Sequence, residues 1–360
     1  MQTAPEFNTL FVASDSDLPD FLLDGPPRSS TPPTPIYNFE LQAARWLAGL
    51  AARKRNPPSP ATLAAFASRA KTILQVVGPW TRLEDFKNAQ MKKFIEDCAG
   101  FNWAPSTLND HIICLKLIIA SATNAEGELI FGRTWNTDFL DAPRVERDKQ
   151  HRPTITREQI ETLIREAVGQ DKVFWALLAG TGLRIGEARS IRIHCNKDQK
   201  DQTTWDRKHA VIAVCNSLYR NEETGRTKTA AGNRIVFLHS SLNQMITEFV
   251  ATEKKPAGSF LFQSRPNEPV KETTMRDRLA KRLPDADCSF HSFRRFRNTH
   301  LISSRVLSGI VKNQMGHSKG QDMSEVYNHQ DESFIRAEIE RVSLGFEVPA
   351  ALAPEQEVQP

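Results

Sequence analysis

The chain has 360 residues, 39% of them hydrophobic and 25% charged, with 47 Lys+Arg against 43 Asp+Glu for a formal net charge of +4. That is a soluble globular composition with room for two or three domains, and no apolar run approaches the ~20 residues that span a bilayer. No secretory leader is visible, and the five cysteines (Cys98, Cys114, Cys195, Cys215, Cys288) form no C-x-x-C pair, which argues against a disulfide framework or structural zinc and for a reducing, cytoplasmic setting.

Residues 1–36 carry seven of the 21 prolines and a net charge of −4. The run from Pro26 to Pro35 excludes helix and inner strand, so residues 1–36 are expected to form a disordered, acidic, Pro-rich tail. Residues 342–360 carry −3, which leaves +11 on residues 37–341. A basic body between acidic ends favours polyanionic partners.

From Tyr37 to about Leu140 the apolar spacing is helical. Phe39, Leu41, Trp46, Leu47 and Leu50 mark a first helix that Pro57-Pro58 closes, and Ala61 to Val77 a second that Gly78-Pro79 closes. Leu83 to Cys98 and Thr107 to Thr123 complete a four-helix bundle, the last apolar through Ile112, Leu115, Leu117, Ile118 and Ile119. Arg45, Arg53, Lys54, Arg55, Arg69, Lys71, Lys92 and Lys93 are its exposed basic candidates, each equally well explained as part of a solvated helix face. The charged, aperiodic stretch around Arg144 to Pro153 is a linker.

A new unit begins at Thr154. Thr156 with Gln159 forms a capping box for a helix through Glu166, and Lys172 to Ala179 makes the next helix. Two β-rich runs, His209–Asn216 and Arg234–Leu238, flank a basic, turn-rich stretch, and the remainder to Arg341 reads as mostly helical.

Four local signals stand out. Arg184 lies between a Gly-containing turn and a new helix in Gly180-Thr181-Gly182-Leu183-Arg184-Ile185-Gly186-Glu187. Lys228 sits in Gly225-Arg226-Thr227-Lys228-Thr229, between the β runs. His291 and Arg294 share a helix face in His291-Ser292-Phe293-Arg294-Arg295. Gly316-His317 precedes Tyr327, one of only three tyrosines, by about ten residues. Each has an ordinary explanation alone: a surface arginine, a hairpin-tip lysine, a solvated helix face, a core tyrosine. Together they form an ordered set, and with it the chain resembles the tyrosine recombinase (phage integrase) family over about 155–340. The resemblance is fainter over about 37–140, which is similar to that family's core-binding domain.

The resemblance implies a mainly α (α+β) fold. Residues 37–141 would be a helical, SAM-like core-binding domain, 142–153 a linker, 154–341 a catalytic domain with a small antiparallel sheet, and 342–360 a tail. It implies a site-specific recombinase that cuts and rejoins DNA through a 3′-phosphotyrosine, with no metal, no ATP and no other cofactor. Tyr327 would be the nucleophile, and Arg184 and Arg294 would clamp the non-bridging oxygens. His291 and His317 would hydrogen-bond the phosphate, Lys228 would protonate the leaving 5′ oxygen, and Glu187 would orient the basic cluster. These roles agree with the needs of phosphoryl transfer: an activated oxygen, charge stabilisation and a proton source. The implied partners are double-stranded DNA, a homotetramer on two DNA sites and accessory DNA-bending proteins, with no membrane. The segment Asp331 to Phe346 carries apolar residues that suit docking on a neighbouring protomer or on its own domain equally. Two departures are an extended polar stretch at His194–Arg207 and the phenylalanines Phe293 and Phe296, of which Phe293 is expected in the core. The alternatives are type IB topoisomerase-like relaxation and a DNA-binding protein with an idle centre.

Overall fold

The computed structural model describes residues 37–146, 152–195, 199, 201–219, 222–224, 232–317 and 331–348. The Pro-rich stretch 1–36 and residues 225–231 and 318–330, including Lys228 and Tyr327, lie outside the described residues. The chain forms two compact units. One comprises residues up to 52 and 66–144, the other residues 53–65 and 145 onward. Among the described residues no helix is long and apolar enough to cross a membrane.

The first unit is built on α1 (Phe39–Ala51), the part of α2 (Pro60–Val77) from Phe66 onward, α3 (Asn88–Cys98), α4 (Pro105–Ala120) and the short α5 (Thr137–Leu140). Asn38 caps α1 by accepting a hydrogen bond from the Leu41 amide at 2.9 Å, satisfying a donor that helix geometry leaves unpaired. Phe39, Ala43, Trp46, Leu47 and Leu50 then bury one face, while Leu41 is turned outward. The expected helix from Leu83 to Cys98 is split. A 3-10 turn covers Leu83–Asp85, and α3 restarts after Lys87, whose amide donates to the Gln90 side chain at 3.0 Å. Leu108, Ile112, Leu115, Ile118 and Ile119 of α4 are buried, whereas Leu117 is exposed. Of the basic candidates, Arg69 pairs with Asp110 at 2.6 Å and Lys92 lies over the Phe139 ring.

The second unit opens with α6 (Arg157–Glu166). Its capping box forms as expected: the Gln159 amide donates to Thr156 Oγ1 at 3.2 Å, and the Thr156 amide donates to Gln159 Oε1 at 2.9 Å. Next, α7 (Gly169–Thr181) is buried all round from Val173 to Thr181, as befits a central helix. Trp175 packs there between Phe174 and the stacked ring of Phe293, and Phe293 is fully buried, as its sequence position suggested.

The sheet has the order β1-β2-β3-β6, with β1 (Arg192–Ile193), β2 (Thr204–Asp206), β3 (Val211–Val214) and β6 (Arg234–Phe237). The two β-rich runs supply β3 and β6, paired antiparallel. The polar insertion after His194 supplies β2, which runs parallel to β1, so the sheet is mixed rather than wholly antiparallel. Two hairpins, β4 (Ser217–Tyr219) with β5 (Glu222–Thr224) and β7 (Gln263–Arg265) with β8 (Glu268–Pro269), stand beside it.

Around the sheet lie α8 (Ile185–Ser190), α9 (Ser240–Thr252), α10 (Glu272–Arg282), α11 (Phe290–Ser303), α12 (Ser308–Met315) and α13 (Glu332–Arg341). The chain after α13 stays in this unit: Val342, Leu344 and Phe346 are buried. The Arg297 guanidinium and the His300 ring both donate to the Ser343 carbonyl, at 3.1 and 2.9 Å.

Candidate active site

Two glycine corners bring distant residues together. Gly182 ends α7 at φ +67°, and Gly316 ends α12 at φ +63°. Both are left-handed, a conformation that glycine adopts without strain. A Cβ on Gly182 would lie 2.9 Å from Met315 Cε, so the corners pack against each other as well. Arg184 follows the first corner by two residues, and His317 follows the second by one.

Arg294 ties the corners to α11. Its guanidinium donates to the Gly182 carbonyl at 2.9 Å and to the Met315 carbonyl. These are carbonyls at helix C-termini, where partial negative charge favours a cation. The side chain is almost fully buried. Burial, then the charge of Arg184, lowers its pKa to about 10, still well above neutrality.

His291 stands one turn before Arg294 on α11. The helix start is fixed by Ser292, whose hydroxyl accepts from the Ser289 amide at 2.9 Å and donates to the Pro153 carbonyl at 3.0 Å. Arg295 holds the same carbonyl at 2.6 Å. His291 and His317 both reach the surface. Partial desolvation, then Arg295, Arg294 and Arg184, lowers the pKa of His291. Desolvation, then Arg294, Arg184, Arg234 and His291, lowers that of His317. Four of the predicted residues therefore lie close enough for their charges to act on one another.

Arg184 occupies the cap position of α8. Its amide donates to Glu187 Oε2 at 2.9 Å, and its guanidinium donates to Glu187 Oε1 at 2.8 Å. The Arg184 side chain is 41% exposed and that of Glu187 only 2%. One cation thus keeps donors available to solvent while its carboxylate partner is enclosed.

Sequence reasoning missed Arg234, the first residue of β6. Its guanidinium grips the same carboxylate with both terminal nitrogens, at 3.2 Å to Oε1 and 2.9 Å to Oε2. It also donates to the carbonyls of Gln314 and Gly232, each at 3.0 Å. Burial works to raise the Glu187 pKa. The hydrogen bond and charge of Arg234, with the amide and charge of Arg184, outweigh it and hold the carboxyl below its ordinary value. The cluster is chemically suited to a tetrahedral oxyanion: an accessible arginine, a buried arginine and two imidazoles whose pKa values are lowered. It includes no residue of the 225–231 or 318–330 segments, which lie outside the described residues.

The phage integrase family model matches residues 153–333. Among solved structures, an integrase of the Tn1549 transposon, in complex with a circular intermediate DNA, is 19% identical with a TM-score of 0.61 and covers 85% of this chain and 100% of that one. A lambda integrase dimer bound to a COC′ core site is 16% identical with a TM-score of 0.55, covering 84% of this chain and 77% of that one. A lambda integrase tetramer bound to a Holliday junction is 16% identical with a TM-score of 0.52, each chain covered to 82%. At these identities the likeness is one of fold. No curated protein matches the chain.

Proposed function

The chain belongs to the phage integrase family, and from that premise we propose that it is a site-specific tyrosine recombinase that cuts and rejoins DNA through a 3′-phosphotyrosine. The observation that carries this reading is the meeting of Arg184, His291, Arg294 and His317 around the two glycine corners. In the reaction, the Tyr327 oxygen attacks the scissile phosphorus, the P–O5′ bond breaks, and Lys228 gives its proton to the departing 5′ oxygen. Arg184 and Arg294 hold the non-bridging oxygens as charge develops. A free phenol ionises only at about pH 10, and nearby positive charge lowers the cost of that ionisation. His317 or His291, neutral in the free protein, accepts the phenolic proton. The phosphotyrosine conserves the energy of the broken bond, so a free 5′ hydroxyl reverses the step with neither metal nor ATP.

Residues 37–141 would serve as the core-binding domain and 154–341 as the catalytic one, with basic residues following the DNA backbone and making binding salt-dependent. The lambda integrase tetramer on a Holliday junction supports, by analogy of fold, the same assembly on two DNA sites.

The test is covalent capture. The protein is incubated with a randomised pool of nicked duplexes, and SDS-resistant adducts are isolated and sequenced. A convergent site is expected, and the adduct should vanish in Tyr327→Phe. Arg184→Ala should abolish the adduct while DNA affinity persists. Absence of any Tyr327-dependent adduct overturns the reading.

A further inference from the structure

We propose that Arg234 is a positioning residue that takes up the charge of Glu187, leaves Arg184 free to hold a phosphate, and fixes the corner that carries His317. The inference rests on the recombinase reading and assigns a role to a residue outside the predicted set.

Glu187 has two cationic partners of unlike standing. Arg234 meets both carboxylate oxygens in a fork, and its side chain is as enclosed as that of Glu187, 2% exposed. Arg184 meets one oxygen through its side chain and is open to solvent. A forked, water-excluded pair is the stronger hold. All three guanidinium nitrogens of Arg234 already donate inside the protein, to Glu187, Gly232 and Gln314, whereas Arg184 keeps donors open to solvent. If Glu187 had Arg184 alone, the same guanidinium would be shared between an internal carboxylate and a DNA phosphate. With Arg234 present, Glu187 and Arg234 close as a neutral pair. Glu187 then aims Arg184 through its backbone amide and one guanidinium nitrogen without cancelling its charge.

The same guanidinium reaches the other corner. Arg234 Nε donates to the Gln314 carbonyl, and Gln314 returns the tie by accepting from the Phe237 amide at 3.1 Å. A Cβ on Gly316 would fall 2.8 Å from Arg234 Nη1 and 2.9 Å from Cζ. Gly316 is therefore bare where the guanidinium lies against it. Arg234 stands between the residue that aims Arg184 and the turn that presents His317.

The experiment compares wild type with Arg234→Met, Arg234→Lys and the double variant Arg234→Met/Glu187→Gln. Single-turnover adduct formation is measured on the site recovered by covalent capture, and DNA affinity is measured separately. Arg234→Met should lose about 100-fold in rate with affinity within about 3-fold. Arg234→Lys, which restores charge without the fork, should recover about 10-fold of that loss. The charge role predicts a pH signature that loss of packing does not. The charges facing Glu187 are Arg184 on its own helix, Arg234 on β6 and, further off, Arg294 on α11. Removing Arg234 takes away a cation that lowers the Glu187 pKa, so on acidification Glu187 should protonate earlier in the variant than in wild type and the variant-to-wild-type rate ratio should rise. The double variant should show no such rise. It also removes both members of the enclosed pair, so it stays folded if Arg234→Met alone does not.

The affinity for inorganic phosphate, read as a phosphate-dependent melting shift, should fall from wild type through Arg234→Lys to Arg234→Met. A wild type that forms no adduct discredits the recombinase reading, and the phosphate series then still tests Arg234. Equal rates or equal phosphate affinity in wild type and Arg234→Met overturn the assignment, as does a pH-independent rate ratio.

Discussion

Replacing Gly316 with alanine separates backbone strain from close contact. Gly316 has φ +63° and Gly258 has φ +84°, so alanine at either incurs the left-handed penalty of about 1–2 kcal/mol. Their surroundings differ. A Cβ on Gly258 would meet only Cys195 Sγ, at 3.6 Å, an ordinary contact. A Cβ on Gly316 would meet Arg234 Nη1 at 2.8 Å, Cζ at 2.9 Å and Cδ at 3.1 Å. Comfortable separations are about 3.5–4.0 Å, so the guanidinium must retreat by roughly 0.7 Å or more. Its bonds to Glu187 are 3.2 and 2.9 Å long, and that retreat weakens or breaks them. Losing one partner of a buried ion pair costs about 3–5 kcal/mol, and partial relaxation keeps the loss below that ceiling. Gly316→Ala should therefore destabilise the second unit by about 3–5 kcal/mol and Gly258→Ala by about 1–2 kcal/mol. Urea unfolding followed by tryptophan fluorescence and circular dichroism measures both. In an Arg234→Met/Glu187→Gln background the excess at Gly316 should disappear, because the flexible methionine yields and no ion pair remains to be broken. Equal losses at the two glycines, or an excess that survives in that background, would refute the contact argument.

Acidification through the histidine range should weaken the fold. His291, His300 and His317 are all held below the ordinary imidazole value, by desolvation first in each case. Between the lowered folded value and about 6.5, the unfolded chain binds more protons, so the unfolding free energy drops as the pH drops, by up to ~1.4 kcal/mol per unit per histidine. Above that window the histidine contribution should be constant. Saturating phosphate should shrink the dependence to the His300 part, and a flat profile from pH 7 to pH 5 would contradict it. Phe293→Ala, which empties a fully buried site stacked on Trp175, should cost about 3–5 kcal/mol in urea unfolding. Thr156→Ala removes one half of the α6 capping box and should cost about 1 kcal/mol.

What the sequence made legible follows from how local each cause is. The α6 cap was readable because Thr156 and Gln159 satisfy each other across three residues. That Arg184, His291, Arg294 and His317 would gather in one place was readable, because the family pattern restricts which residues occur and in what order. The apolar pattern of Asp331–Phe346 announced burial but not against what. Within the chain, Arg297 and His300, some 40 residues earlier, both donate to the Ser343 carbonyl and hold that end of the segment in its own unit, while Phe334 stays exposed. The parallel β1–β2 ladder rests on two residue pairs, too short for any periodicity to register. Arg234 was hidden for a related reason. It opens a β-rich run, a position where an exposed arginine is unremarkable. Its burial is set by Glu187, 47 positions away, and by Gln314, 80 positions away. One sequence signal pointed toward it without naming it: the glycine of Gly316-His317, whose missing Cβ leaves room for that guanidinium. Residues that meet the substrate are constrained by chemistry that can be written down in advance. Residues that hold them in place are constrained only by the fold, and emerge when the donors around each buried charge are counted.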